Sequence, residues 1–405
     1  MPHDMHRPAG PMPAADAGPP ADAVPAADAV PAADAVPAAD ADAGPVALLV
    51  PGRRAPAAEY DVALLDLDGV VYSGPHAVPG AVAALAAARS AGLRLAFVTN
   101  NASRSPSAIA EHLGRLGIAT SAADVVTSAQ AAATLIASRF PAGSPVLVAG
   151  AVALRLALRE RRLRPVSVAA DRPVAVVQGY APDMSYGLLA EAGVAVRDGA
   201  FFVATNADST LPTPRGPQPG NGSLLQVVIT ATGKQPVVAG KPQTPLHAEA
   251  VARTGAKRPL VVGDRLDTDI EGAVRGGADS LLVLTGVSRA EDVVLAPKGR
   301  RPTYLAADLR GLLDPQPAIG SRAGRDGRDG EDGRDGEDPG RGAAGRAFRC
   351  GGWEARRPAG AGPLELSGDG AWIDGLRALC AAAWSAGPIQ ADMAGPALKT
   401  LDLPG

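Results

Sequence analysis

Aromatic residues make up only 3% of the 405 residues. A folded core here must be built from aliphatic side chains and Ala. Cysteine is almost absent: Cys350 and Cys380 stand alone. Two cysteines cannot make a disulfide framework, which fits a reducing compartment, and a cytoplasmic location is the expectation. Neither sign of charge is in excess, with 39 Lys and Arg against 42 Asp and Glu and a net charge of -3. That balance removes the usual motive for nucleic-acid binding, which is a basic surplus. No run of about eighteen apolar residues exists, so a membrane-spanning helix is excluded and no membrane partner is expected. The start, Met1 to Gly10, has no apolar stretch of the kind a secretory signal needs. The five histidines show no metal-ligand pairing and no Gly-x-Ser-x-Gly is present, so a serine triad has no support.

Glycine and proline are plentiful, at 48 and 38. Residues 1–58 read as a disordered tail rich in Ala, Asp and Pro. The unit Ala-Ala-Asp-Ala-Val-Pro recurs at Ala26–Pro31 and Ala32–Pro37. Its proline breaks any helix, and nothing large is available to bury. Residues 315–345 read as a charged linker, with Gly-X-Asp triplets from Gly324 to Asp338. Residues 346–405 form a small C-terminal extension that holds Trp353, Trp372 and Trp384 and both cysteines. Its predicted elements are a strand at Leu364–Leu366 and a helix at Ile373–Trp384.

Between these segments, 59–314 alternates short apolar runs with Ala- and Leu-rich helical patterns. The runs are Val62–Leu65, Leu93–Val98, Val146–Ala149, Val174–Val177, Val237–Ala239, Leu260–Val262 and Leu281–Leu284. Such alternation predicts an α/β fold with a mainly parallel sheet. Ligands in such sheets gather at the carboxyl ends of the strands.

Four groups stand at predicted strand ends. Asp66 and Asp68 flank Leu67 and precede Gly69, which permits a sharp turn. Two carboxylates that close are costly without a proton or cation between them, and Mg²⁺ favours hard oxygen ligands. Thr99, Asn100 and Asn101 offer hydroxyl and amide groups to phosphoryl oxygens. Lys241, one of only five lysines, follows an apolar run and precedes Pro242. Finally, a strand runs into Gly263-Asp264-Arg265-Leu266-Asp267-Thr268-Asp269. Each piece alone has a plain structural reading as a turn, a cap or a surface lysine.

The ordered set resembles the haloacid dehalogenase superfamily across essentially all of 59–314. Asp-Gly-Val-x-Tyr at Asp68–Tyr72, Ala204–Asp208 and Pro219–Ser223 resemble its capped subfamily IIA. Thr99–Ser105, Asp124–Gln130, Val261–Gly272 and Arg301–Tyr304 read like the bacterial glycerol-3-phosphate phosphatases of that branch. The resemblance implies a Rossmann-like core with an inserted α/β cap, and Mg²⁺-dependent hydrolysis of a small phosphorylated metabolite. By the same resemblance, Asp66 is the nucleophile and Asp68 the general acid and base. Lys241 pairs with Asp66 and the transferred group. Mg²⁺ is held by Asp66, the Asp68 carbonyl and Asp264, with Asp269 behind them. Thr99 and Asn100 hold the phosphoryl oxygens, and Asn101 and Gly69 are counted with them. Glycerol 3-phosphate is the expected substrate. A nucleotide, phosphoglycolate or pyridoxal-phosphate phosphatase is the alternative, with a phospho-acceptor signalling module more remote.

Asp66 and Thr99 are 33 positions apart, too few for an inserted domain, whereas Thr99 and Lys241 are 142 apart. The cap is therefore expected at 140–236, dividing the core into 59–139 and 237–314. Thr210, in the cap loop Asp208–Thr213, is expected to face the substrate. Capped members of the branch often pair through the cap, which makes a homodimer an expectation.

Overall fold

The computed structural model describes residue 49 and residues 54–211, 213, 215–322, 346–358 and 362–403. The sequence expectations for residues 1–48, 50–53 and 323–345 lie outside these.

A six-stranded parallel sheet forms the core. Its order is Tyr304–Ala306, Asp279–Val283, Pro259–Gly263, Val62–Leu65, Arg94–Thr99 and Val125–Thr127. Side chains alternate between the faces of a strand. Ala63 and Leu65 accordingly join one hydrophobic cluster, while Val62 and Leu64 join the other. All four are buried, as expected of a parallel strand with helices on both sides. Leu65 and Phe97 are fully buried, and each such side chain contributes about 1.5–3 kcal/mol.

The cap is a second parallel sheet, in the order Val237–Val238, Phe201–Ala204, Ala175–Gln178, Pro145–Ala149 and Arg164–Val166. One boundary differs from the sequence reading. The run Val237–Ala239, expected in the core, is the edge of the cap sheet. Val237 and Val238 pair with Val203 and Ala204, and the Ala239 amide donates to the Ala204 carbonyl at 2.8 Å. The chain therefore returns to the core at Gly240 and Lys241.

The extension is a four-stranded antiparallel sheet of Gly320–Arg322, Ala347–Cys350, Trp353–Arg356 and Glu365–Gly368, backed by the helix Trp372–Trp384. Its first strand lies inside the segment read as a linker. Gly320–Arg322 is too short and polar to show a strand period. The helix is buried from Gly375 to Trp384, because it sits between its own sheet and the core. Its residues share one hydrophobic cluster with Leu266, Ile270, Leu282, Val293 and Leu305. Buried Arg377 bonds the Leu305 carbonyl through Nε (3.1 Å) and Nη2 (2.5 Å). Its other bonds go to Asp374 (2.6 Å) and Gln316 (3.1 Å). The Trp384 indole donates to the Val294 carbonyl at 3.2 Å.

Short strands at Tyr72–Ser73 with His76–Ala77, and at Thr210–Leu211 with Gln218–Pro219, form two small hairpins. Among the described residues, no helix is long and apolar enough to cross a membrane.

Candidate active site

The parallel strands of the core end on one edge, and the polar groups are placed there by where each strand stops. Asp66 follows Val62–Leu65 and is tied to the neighbouring strand by its amide, which donates to the Val262 carbonyl at 2.8 Å. The next turn is set by Gly69, with φ at 85°. That left-handed conformation suits glycine. A Cβ there would also lie 2.5 Å from Asp264 Oδ2, so the turn and the acid exclude any larger residue.

Asp264 follows the strand Pro259–Gly263 and is fully buried. Its Oδ2 accepts from the Val287 amide at 2.7 Å, while Oδ1 is buried without a partner. Leu266–Ile270 coils as a π-helical turn and brings Asp269 back beside it. Carboxylate oxygens of Asp66, Asp264 and Asp269 lie within 4.8 Å of one another.

Lys241 is buried in the same place. Its Nζ pairs with Asp66 Oδ1, lies 2.7 Å from Asp269 Oδ1 and donates to the Val98 carbonyl at 3.2 Å. Three carboxylates then face one ammonium. Burial opposes the Lys241 charge, but Asp269 and Asp66 outweigh it and hold the ammonium above its usual range. Burial pushes the Asp66 carboxyl up and Lys241 pulls it down, but Asp269 and Asp264 add to the rise, so the net direction is well upward. Asp264 is pushed up to about 6 by burial and then by Asp269. Such a cluster lacks positive charge, and a divalent cation would balance it. The bare Asp264 Oδ1 and the all-oxygen donor set fit Mg²⁺.

Asp68 stands at the mouth, where solvent reaches it. Its carboxyl is raised by the protein walls around it, against the pull of Lys241 and Arg104. Thr99 is buried at the end of its strand, and its Oγ1 accepts from the Asn101 amide at 3.1 Å. Asn101 spends its side-chain oxygen on Ser103.

The side chain of Asn100 is engaged within the protein. Its Oδ1 accepts from the Lys241 amide at 2.8 Å, and its Nδ2 lies 3.2 Å from both the Lys241 carbonyl and Asp208 Oδ2. The side-chain amide is committed to protein partners and has nothing left to offer a phosphoryl group. Thr210 is exposed in its hairpin, and its side chain makes no hydrogen bond to a described residue of the acid cluster.

Sequence reasoning missed several neighbours. Thr285 Oγ1 donates to the Gly69 carbonyl at 2.6 Å, Val287 supports Asp264, and Ser288 Oγ accepts from the Leu266 amide at 3.1 Å. All follow the strand Asp279–Val283, so the strand-end rule applied once more would have found them. His247 is buried nearby, its pKa lowered to about 4 by burial and then by Lys241.

Residues 63–164 match a family model described as haloacid dehalogenase-like hydrolase, and 238–312 match a HAD-hydrolase-like model. The chain is 52% identical over 256 residues to the D-glycerol 3-phosphate phosphatase of Mycobacterium tuberculosis, covering 63% of this chain and 72% of that protein. The chain belongs to the haloacid dehalogenase-like hydrolases. A second hydrolase of the family, a 5'-nucleotidase of Bacillus subtilis, is 38% identical over 57% of this chain and 90% of its own length. The crystal structure of glycerol phosphate phosphatase from M. tuberculosis in complex with magnesium superposes with a TM-score of 0.73 at 41% identity. That likeness covers 86% of this chain and 99% of the other. In this hydrolase, residues 350–403 also match a GCN5-related N-acetyltransferase-like domain, a likeness the sequence reading did not foresee.

Proposed function

We propose that this hydrolase removes phosphate from glycerol 3-phosphate, with Asp66 as nucleophile and Asp68 as acid and base. The protein is a phosphoric monoester hydrolase that works with Mg²⁺. The observation that carries the substrate is the 52% identity to a D-glycerol 3-phosphate phosphatase. The 5'-nucleotidase relative supports the second reading, a nucleotide phosphatase.

In the first step an Asp66 oxygen attacks phosphorus, and the bond to the leaving alkoxide breaks. Lys241 pairs with Asp66 Oδ1, which sets the direction of the other oxygen. Asp68, whose carboxyl is held above its usual range by burial, gives a proton to the alkoxide. It then takes a proton from the water that attacks the aspartyl-phosphate and regenerates Asp66. Thr99 stands beside the bond between Lys241 and the Val98 carbonyl and serves the phosphoryl oxygens. When bound by Asp66, Asp264 and the Asp68 carbonyl, Mg²⁺ supplies positive charge that lets a carboxylate approach an anionic phosphate. Asp269 holds Lys241 from the other side. The work is positioning and charge stabilisation, as in phosphoryl transfer generally.

The test is a panel of phosphate monoesters with Mg²⁺, using Asp66→Asn as the blank. Glycerol 3-phosphate should lead in kcat/KM. A wide lead by a 5'-nucleotide would replace the substrate and keep the enzyme class.

A further inference from the structure

The cap strand Phe201–Ala204 runs on into Thr205, Asn206, Ala207 and Asp208. Asn206 and Asp208 both direct a side-chain hydrogen bond to one core residue, Asn100. Asn206 Nδ2 donates to the Asn100 carbonyl at 2.8 Å, and Asp208 Oδ2 accepts from Asn100 Nδ2 at 3.2 Å. The same side chain grips both the amide and the carbonyl of Lys241. Gly240 makes room for this grip, since a Cβ there would lie 2.6 Å from Asn100 Oδ1. On its other side Asp208 Oδ1 is 4.0 Å from Arg265 Nη1, next to Asp264 in sequence.

The cap holds Asp208 firmly. Its carbonyl accepts from the Gly222 amide at 2.8 Å, and Asn221 Nδ2 donates to the Asn206 carbonyl at 2.7 Å. A movement of the cap is therefore a movement of the Asp208 carboxylate against Asn100. Lys241 lies just past the edge strand Val237–Val238, where the chain leaves the cap. Its backbone would follow the cap unless something in the core held it.

We propose that Asp208 is a positioning residue through which the cap sets Lys241, by way of the Asn100 amide. This rests on the phosphatase reading, which gives Lys241 its task. With the cap seated, Asp208 turns Asn100 so that its amide fits the Lys241 peptide, and Nζ reaches Asp66 and Asp269. With the cap displaced, Asn100 loses one acceptor and Lys241 loses its register. Asp208 need not touch substrate to do this.

The experiment compares wild type, Asp208→Ala, Asp208→Asn, Asn100→Ser and the double variant Asn100→Ser/Asp208→Ala, each with Mg²⁺ on glycerol 3-phosphate and on 4-nitrophenyl phosphate. Asp208→Ala should lower kcat about tenfold to a hundredfold on both esters, with KM nearly unchanged. Asp208→Asn keeps a carbonyl that can accept from Asn100 and should recover most of the loss. The double variant should be no worse than the worse single, because both act on one path. Wild-type kcat in Asp208→Ala would overturn the proposal. So would a loss confined to one ester, which marks a substrate contact, or losses that multiply in the double variant. Should Asp208→Ala fail to melt cooperatively, Asp208→Asn decides alone: a fall in its kcat of tenfold or more would mean that the charge, not the hydrogen bond, is what matters. Absence of turnover by wild type on both esters would sink the phosphatase reading itself, which separates the two failures.

Discussion

The amide of Val287 donates to Asp264 Oδ2 at 2.7 Å and leaves Oδ1 bare. One oxygen is thereby fixed and the other is left buried without a protein partner. Gly286 makes this possible, because a Cβ there would lie 1.9 Å from Asp264 Oδ2. Gly286→Ala should therefore displace Asp264. We expect the Mg²⁺ concentration for half-maximal activity to rise about tenfold to a hundredfold, as for other residues that orient metal ligands. A magnesium titration of turnover checks it, and an unchanged midpoint would refute it.

Asp66→Asn should abolish turnover while leaving the fold intact. The Asn side chain lacks the nucleophilic charge but keeps the shape. Single-turnover assays with labelled ester should detect no phosphorylated protein in the variant.

Asp68 is expected to matter in proportion to the leaving group. Glycerol leaves as a basic alkoxide and needs a proton, whereas 4-nitrophenolate is stable without one. Asp68→Asn should cost about 10²–10⁴-fold on glycerol 3-phosphate and clearly less on 4-nitrophenyl phosphate. Equal losses on both would deny Asp68 the role of general acid.

Stability without metal should depend on pH through Asp264. Its folded pKa of about 6 stands well above the usual carboxylate value of about 4. Between those values the folded state binds more protons than the unfolded one, so stability falls as pH rises from about 4 to about 6. In EDTA at pH 8, Asp264→Asn should be more stable than wild type by about 1–3 kcal/mol, and the gap should close near pH 4. Urea melts at the two pH values check this. Excess Mg²⁺ should reverse the order at pH 8, since only wild type retains all three acids.

The extension should melt with the core. Arg377 is buried and makes bonds to Leu305, Asp374 and Gln316. Arg377→Leu strands those partners and should cost about 3–5 kcal/mol. Tryptophan fluorescence, which arises wholly from the extension, should lose intensity at the same urea midpoint as activity. Two separate midpoints would show that the parts unfold independently.

The strand-end acids were legible because a parallel strand shows as an apolar run and its carboxyl end is where the run stops. That brought out Asp66, Thr99 and Asp264, and Lys241 through its place after Val237–Ala239. The three-residue strands Val125–Thr127, Arg164–Val166 and Tyr304–Ala306 are too short to show a period. The engagement of the Asn100 side chain was not legible, because its partners Lys241 and Asp208 lie 141 and 108 positions away. An amide at a strand end looks the same from sequence whether it faces phosphate or a peptide. The place where the extension docks was hidden for a similar reason. Arg377 reads as a surface charge until the Leu305 carbonyl is seen beneath it.

Arg322 stands opposite Ala347 in the sheet of the extension. Residues 322 and 347 are thus held side by side, in a register fixed by the sheet itself. Doubling the length of a connection between two such residues costs only about 0.6 kcal/mol. A break in the chain anywhere between residues 322 and 347 would leave two fragments still held together by the sheet and by Arg377.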